Sequence, residues 1–117
     1  MKNALTCTWS TPDETTARVT ITGDLEFATA GLLLRLVTAR LAGHPGVHAV
    51  RLDCGALGFC DSSGLSELMQ VYRVVTATGA RLHLDDRQPA LDRLLALTGT
   101  AGYLTGETAD VRARQDS

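Results

Sequence analysis

Residues 50–69 read VRLDCGALGFCDSSGLSELM. The stretch opens by alternating. Val50, Leu52 and Cys54 fall on one side of an extended chain and Arg51 and Asp53 on the other, the period-two mark of a strand with one buried face. It closes on a helical period: Leu65, Leu68 and Met69 continue into Tyr72 and Val75, with Ser66, Gln70 and Arg73 opposite, so a helix is expected over about 63–78. Between the two lie GALGF (55–59), which reads as a glycine-bearing loop, and CDSSGL (60–65), where two serines and a glycine open the helix.

The same grammar extends outward from this unit. Upstream, the strand begins at VHAVRLDC (47–54), and GHPG (43–46) ends a helix expected over 28–42. Its apolar face is Leu32, Leu33, Leu36, Val37 and Leu41, with Gly31, Arg35 and Thr38 on another stripe. LTCTW (5–9) and ARVTIT (17–22) alternate and flank STPDETT (10–16), whose Pro12 and Asp13 favour a turn, so a hairpin is expected. GDLEF (23–27) then reads as a loop. Downstream, Gly79 ends the second helix and ARLHLDD (80–86) is a fourth alternating strand. Pro89 opens a third helix carrying Leu91, Leu94 and Leu95, which stops at Gly99. AGYLT (101–105) is expected as a short last strand and GETADVRARQDS (106–117) as a polar tail. Strands with one polar face place the helices together on the other. The expected fold is a single α/β domain over 1–117, core about 5–105: a four- to five-stranded sheet under one layer of helices.

Composition agrees and narrows the function classes. The chain has 117 residues, 44% apolar and 21% charged, the balance of a soluble globular domain. A formal charge of −2 and only five aromatic residues (one Trp, two Tyr, two Phe) argue against nucleic acid as a partner. The most apolar run, ATAGLLL (28–34), is broken by Arg35, far short of the roughly 20 residues of a membrane span, and MKNALTCTWS lacks the core of a signal peptide. Three cysteines without framework spacing suggest free thiols in a reducing cytoplasm.

The serine loop admits several chemistries. Asp61, Ser62 or Ser63 can cap the helix, since their oxygens accept its free N–H groups. Gly64 lets the chain approach a neighbour closely. A hydrolase elbow, G-x-S-x-G, is absent: Cys60 and Asp61 stand where the leading glycine belongs. The histidines a triad needs fit other roles, His44 in a turn, His83 on a polar strand face, and His48 at the edge of the core in phase with Val50. No paired cysteines or histidines stand at zinc spacing, and no phosphate-binding loop is present. Cys7 and Cys54 read as small core residues. Cys60 reads as a packing residue whose thiol a helix start can make more acidic. The remaining chemistry is modification. A phosphate at a helix start adds about −1.5 to −2 charges, which the helix dipole tolerates but a partner packed on the loop does not.

At this point the chain resembles the STAS domain, the family of anti-sigma factor antagonists and sulfate-transporter tails. Four segments, in family order and spanning about 5–105, carry the resemblance: ITGDLEFATA (21–30), VRLDCGALGFCDSSGLSELM (50–69), GARLHLDD (79–86) and LDRLLALTG (91–99). The resemblance implies a mixed sheet with helices on one face. It implies that Ser62, the first serine of D-S-[ST]-G, accepts phosphate, with Ser63 the second choice. It implies a partner that is both anti-sigma factor and serine kinase, with a histidine-kinase-like ATPase fold. ATP and magnesium belong to that kinase, and the chain itself needs no cofactor and no metal. A metal-dependent serine phosphatase reverses the modification. Gly23, Asp24, Leu25 and Glu26, with Asp61, Ser62, Ser63 and Gly64, are the implied partner-binding residues. Glu26 stands where the family commonly has Asp. The function implied is an antagonist, not an enzyme, that frees a sigma factor in the cytoplasm. The alternatives are a non-switching STAS subunit of a stress-signalling complex or transporter ATPase, and a small-ligand-binding STAS module.

Overall fold

A computed structural model describes residues 4–99; the strand expected over 101–105 and the tail over 106–117 lie outside the described residues. Four strands form one sheet in the order β1 (Thr6–Ser10), β2 (Thr16–Leu25), β3 (Ala49–Cys60), β4 (Arg81–Asp85). β1 and β2 are antiparallel and form the expected hairpin, its turn tied by Asp13, whose carboxylate accepts from the Thr15 N–H at 2.9 Å. The β2–β3 and β3–β4 pairs are parallel. Parallel neighbours need crossovers, and α1 (Leu32–Ala42) and α2 (Ser62–Ala77) supply them. α3 (Pro89–Thr98) follows β4 and starts on Pro89. The sheet is thus mixed.

Alternation decides which face the helices cover. Val19 and Ile21 of β2, Val50 and Leu52 of β3, and Leu82 and Leu84 of β4 are buried, while Arg18, Thr22 and Arg81 are exposed. The helices seal the apolar face with Leu33, Val37 and Leu41 of α1, Leu65, Leu68, Val71 and Val75 of α2, and Leu91 and Leu95 of α3. On the open face Arg51 and Asp85 form a two-pronged ion pair at 2.8 and 2.9 Å. His83 lies beside it, its pKa lowered by partial burial and then by the Arg51 charge. Leu32, expected on the buried stripe of α1, is 39% exposed.

Three local expectations change. GDLEF is not all loop: β2 runs on through Leu25. GALGF is not a loop: β3 continues to Cys60 beside it. Both strands persist because β3 absorbs two extra residues. Thr20 pairs with Asp53 but Thr22 with Ala56, and Gly23 with Leu57 but Asp24 with Phe59. Each irregularity gives β3 one residue more than β2, a bulge that bends the strand and shifts its alternation. Two exposed residues in a row, at 55–56 and again at 58–59, are the result. Finally, α1 starts at Leu32 and not near 28, because a 3-10 turn at Phe27–Thr29 and a left-handed Gly31 (φ 96°) precede it.

Gly23 shows how tightly the β2 extension is held. Its φ is 103°, and a Cβ there would land on the Ala4 carbonyl. Gly23→Ala is therefore expected to lose about 2–4 kcal/mol of unfolding free energy from strain plus overpacking. Urea denaturation checks this, and a wild-type midpoint would contradict the close approach.

Candidate functional site

The end of the sheet gathers the serine loop and the acidic segment into one place. Leu25 and Cys60 are register partners, so β2 and β3 stop at the same level and both chains turn there. Asp61 leaves β3 in an extended conformation, its N–H donating to the Leu25 carbonyl at 3.3 Å. Its carboxylate then serves two segments. Oδ1 accepts from the Gly64 N–H at 2.9 Å, capping α2, and Oδ2 accepts from the Phe27 N–H at 3.2 Å, holding the 3-10 turn. Donation from Gly64, Phe27 and Ser63 favours the charged form and lowers the Asp61 pKa, the Gly64 N–H contributing most.

Gly64 completes the junction by its lack of a side chain. A Cβ would land on the Leu25 carbonyl and stand 2.9 Å from Cys60 Sγ. The glycine is there for close approach, since no positive φ is involved. On the other strand Thr29 ties the turn: its hydroxyl donates to the Asp24 carbonyl at 2.8 Å and accepts from the Glu26 N–H at 3.1 Å, while the Glu26 side chain accepts from the Thr29 N–H.

A further acid, Glu67, is a structural member of the site that the sequence reading left out. It is 3% exposed, and its two oxygens accept from the Gly31 N–H at 2.8 Å and the Leu34 N–H at 2.9 Å. Those amides are free donors at the start of α1, so α2 caps α1. The signal was present: Glu67 lies three residues after Gly64 and four before Val71, on the buried face of its helix. A charged residue there needs a partner.

The implied site residues divide sharply by exposure. Ser62 is the first residue of α2 and is exposed; Ser63 and Asp61 are half-buried. Gly23, Asp24, Leu25, Glu26 and Gly64 are buried. Phe27, next to the buried segment, is 80% exposed, and Phe59 is 54% exposed. Among the described residues no hydrogen-bond partner holds the Ser62 hydroxyl. Of the histidines, His44 is engaged elsewhere. His44 Nδ1 is 2.7 Å from the Arg40 carbonyl and the ring faces Trp9 at 5.5 Å, whereas His48 is exposed and not at the edge of the core. Cys60 is not acidic: burial, then the negative charges of Asp61 and Glu67, push its thiol up to about 11. Those effects outweigh the helix start.

With this geometry in place, the family can be named. The family model described as "Mlab, STAS domain" matches residues 10–106, and the chain belongs to the STAS domain family. Its fold matches the anti-sigma factor antagonist SpoIIAA in its unphosphorylated form (TM-score 0.64, 19% identity, 94% of this chain and 97% of that one). It also matches the Bacillus cell fate determinant SpoIIAA in the phosphorylated form (TM-score 0.60, 18% identity, 92% and 99%). An anti-sigma factor antagonist from Mycobacterium paratuberculosis is similar at 26% identity, with a TM-score of 0.67 over 82% of this chain and 79% of that one. The expected mixed sheet with helices on one face is thus the STAS fold.

Two outcomes are expected. Asp61→Ala loses about 1–2 kcal/mol at neutral pH, the usual cost of a lost cap. A carboxyl whose folded pKa is lowered contributes stability above its unfolded pKa and loses it as pH falls through the folded value. Urea midpoints at pH 7 and pH 3 should therefore fall further in the wild type than in Asp61→Asn; equal losses would remove the carboxylate from the junction. Separately, burial raises Cys7 to about 11, Cys54 to about 12 and Cys60 to about 11. Iodoacetamide at pH 7.5 is expected to label the native chain at least roughly tenfold more slowly than the urea-unfolded chain. Rapid labelling of Cys60 in the native protein would contradict its burial.

Proposed function

We propose that this protein is an anti-sigma factor antagonist switched by phosphorylation at Ser62. The observation that carries the reading is the division of labour at the start of α2. Asp61 caps the helix, and Ser62 beside it stands exposed. A serine released from capping is accessible to a kinase, and its modification leaves the junction's hydrogen bonds intact. Similarity to an antagonist structure at 26% identity supports the same class, as does likeness in fold to SpoIIAA in unphosphorylated and phosphorylated forms.

In this reading the unphosphorylated protein binds an anti-sigma factor with a histidine-kinase-like ATPase fold, and the sigma factor is freed for transcription. That partner holds ATP and magnesium. The Ser62 hydroxyl oxygen bonds to the γ-phosphorus as the bond to ADP breaks, and the hydroxyl proton passes to a base of the partner. The antagonist contributes no catalytic group of its own. Phosphate brings about −1.5 to −2 charges to a surface that the partner must desolvate. Reversing a 99:1 preference takes about 5.5 kcal/mol, within reach of one uncompensated charge at an interface. A metal-dependent serine phosphatase resets the switch, and the cycle runs in the cytoplasm, where transcription occurs.

A second reading keeps the fold and drops the switch: a non-switching STAS subunit of a stress-signalling complex or a transporter ATPase, held by the same surface. The family match is to the STAS domain, which both readings share.

Incubation with kinase-like anti-sigma factors of the same genome and Mg-ATP, followed by intact mass and site mapping, separates the two. The expected result is one phosphate on Ser62, none on Ser62→Ala, and loss of binding on modification. Tight binding with no phosphate on Ser62 or Ser63 would favour the non-switching subunit.

A further inference from the structure

β4 accompanies β3 only from Ala49 to Asp53, while β3 runs on to Cys60. α3 borders that extension. Gln88, just before the helix, donates from Nε2 to the Gly55 carbonyl at 2.7 Å, and Leu91 and Leu95 are buried in the core. A cavity of about 270 Å³ stays open between Leu57, Phe59 and Cys60 of β3 and Leu94 and Leu97 of α3. Gly58, the residue that the second bulge inserts, also lines it and has no side chain with which to close it.

Two features of the walls point to an occupant. The first is apolar surface left in contact with water: Phe59 is 54% exposed and Leu97 79%. The second is charge. Arg93 is the one charged side chain among the described lining residues, and no described residue forms an ion pair or hydrogen bond with it. Arg87, just before the same helix, differs. Its Nε donates to Asp92 Oδ1 at 2.6 Å and its Nη1 to the Leu84 carbonyl at 2.8 Å. Asp92 is thereby engaged, and among the described residues no carboxylate lines the cavity to neutralise Arg93.

We propose that this cavity binds a small carboxylic acid with an apolar body, its hydrocarbon against Leu57, Phe59, Leu94 and Leu97 and its carboxylate on the Arg93 guanidinium. Concave apolar walls with a few polar groups are the composition of small-molecule sites, and the volume lies just below their usual range of about 300–1,000 Å³, so the ligand is small. The charge decides its head group, because a guanidinium offers a planar fork of donors that a carboxylate accepts with both oxygens. A protein partner needs about 800 Å² of surface on each side, which a hollow of this kind does not offer. The site also touches the junction already described. Cys60 lines the cavity and pairs with Leu25 where both strands end, so a bound acid rests on the last residue before the Asp61 cap.

Amide chemical shifts of the full-length, isotope-labelled chain, titrated with octanoate and with 1-octanol as its uncharged counterpart, test this. The wild type should bind octanoate saturably, with shifts centred on 57–60 and 90–97, at least about tenfold tighter than 1-octanol. Arg93→Gln should bring octanoate to the level of 1-octanol. Ala90→Trp adds bulk to the lining and should weaken both at least about tenfold, while keeping the wild-type thermal midpoint because Ala90 is exposed. Arg18→Gln, on the open sheet face, should stay within about twofold of wild type. Equal affinities for the two ligands in the wild type would overturn the carboxylate. Shifts centred elsewhere, or no saturation by about 10 mM octanoate, would overturn the site. The same amide signals moving with protein concentration alone would assign the hollow to a second copy of the chain and overturn the ligand.

Discussion

The junction depends on one carboxylate shared between two chain segments. Asp61 accepts from Gly64, three residues on, and from Phe27, 34 residues back. The arrangement follows from the parallel pairing of β2 and β3. Parallel strands that end together leave two turns side by side, each with backbone amides no ladder can use. A carboxylate has two oxygens and can serve both. Glu67 repeats the device one turn along α2, its two oxygens reaching two amides at the start of α1. The two acids thereby join β3, α2, the 3-10 turn and α1 at one end of the molecule. The glycines complement them, since side chains at Gly23 and Gly64 would strike the carbonyls of Ala4 and Leu25.

This construction separates the residue that caps the helix from the serine exposed beside it. In many helix starts the serine is itself the cap, and modifying it disturbs the fold. Here the cap is an aspartate and Ser62 stands outside it. Phosphate added to Ser62 meets the favourable end of the helix dipole and the unfavourable charge of Asp61 together. The two effects oppose each other, so modification falls chiefly on whatever rests against the surface. A platform held independently of Ser62 is what the proposed switch requires.

The strands, the helices and the one-sided packing were legible because each is a local periodicity: Val50, Leu52 and Cys54 for β3, Leu65, Leu68 and Val75 for α2. The serine loop was legible as a helix start, but the cap stayed open among Asp61, Ser62 and Ser63 until the structure showed Asp61 accepting from the Gly64 N–H. GALGF was misread for a physical reason. Glycines at 55 and 58 and two exposed residues in succession are the marks of a loop, but they are equally the marks of a doubly bulged strand, and only pairing with β2 distinguishes them. Glu67 was legible in principle, as an acid on an apolar helix face, yet its partners lie more than 30 residues away in sequence.

What the sequence determined by itself is what short-range physics controls: two-residue and 3.6-residue periods, the turn at Asp13, the helix stops at Gly79 and Gly99, and a motif specific enough to point to the STAS family. What only the tertiary structure decided is which atoms of the motif face inward. Asp24, Leu25 and Glu26 stand beside Phe27 in the chain, and the linear reading named the first three as partner-binding and left Phe27 out. The sheet buries the first three and exposes the ring, because β2 extends alongside β3 until Leu25 meets Cys60. Exposure is a property of neighbours brought from elsewhere in the chain, and no local pattern carries it.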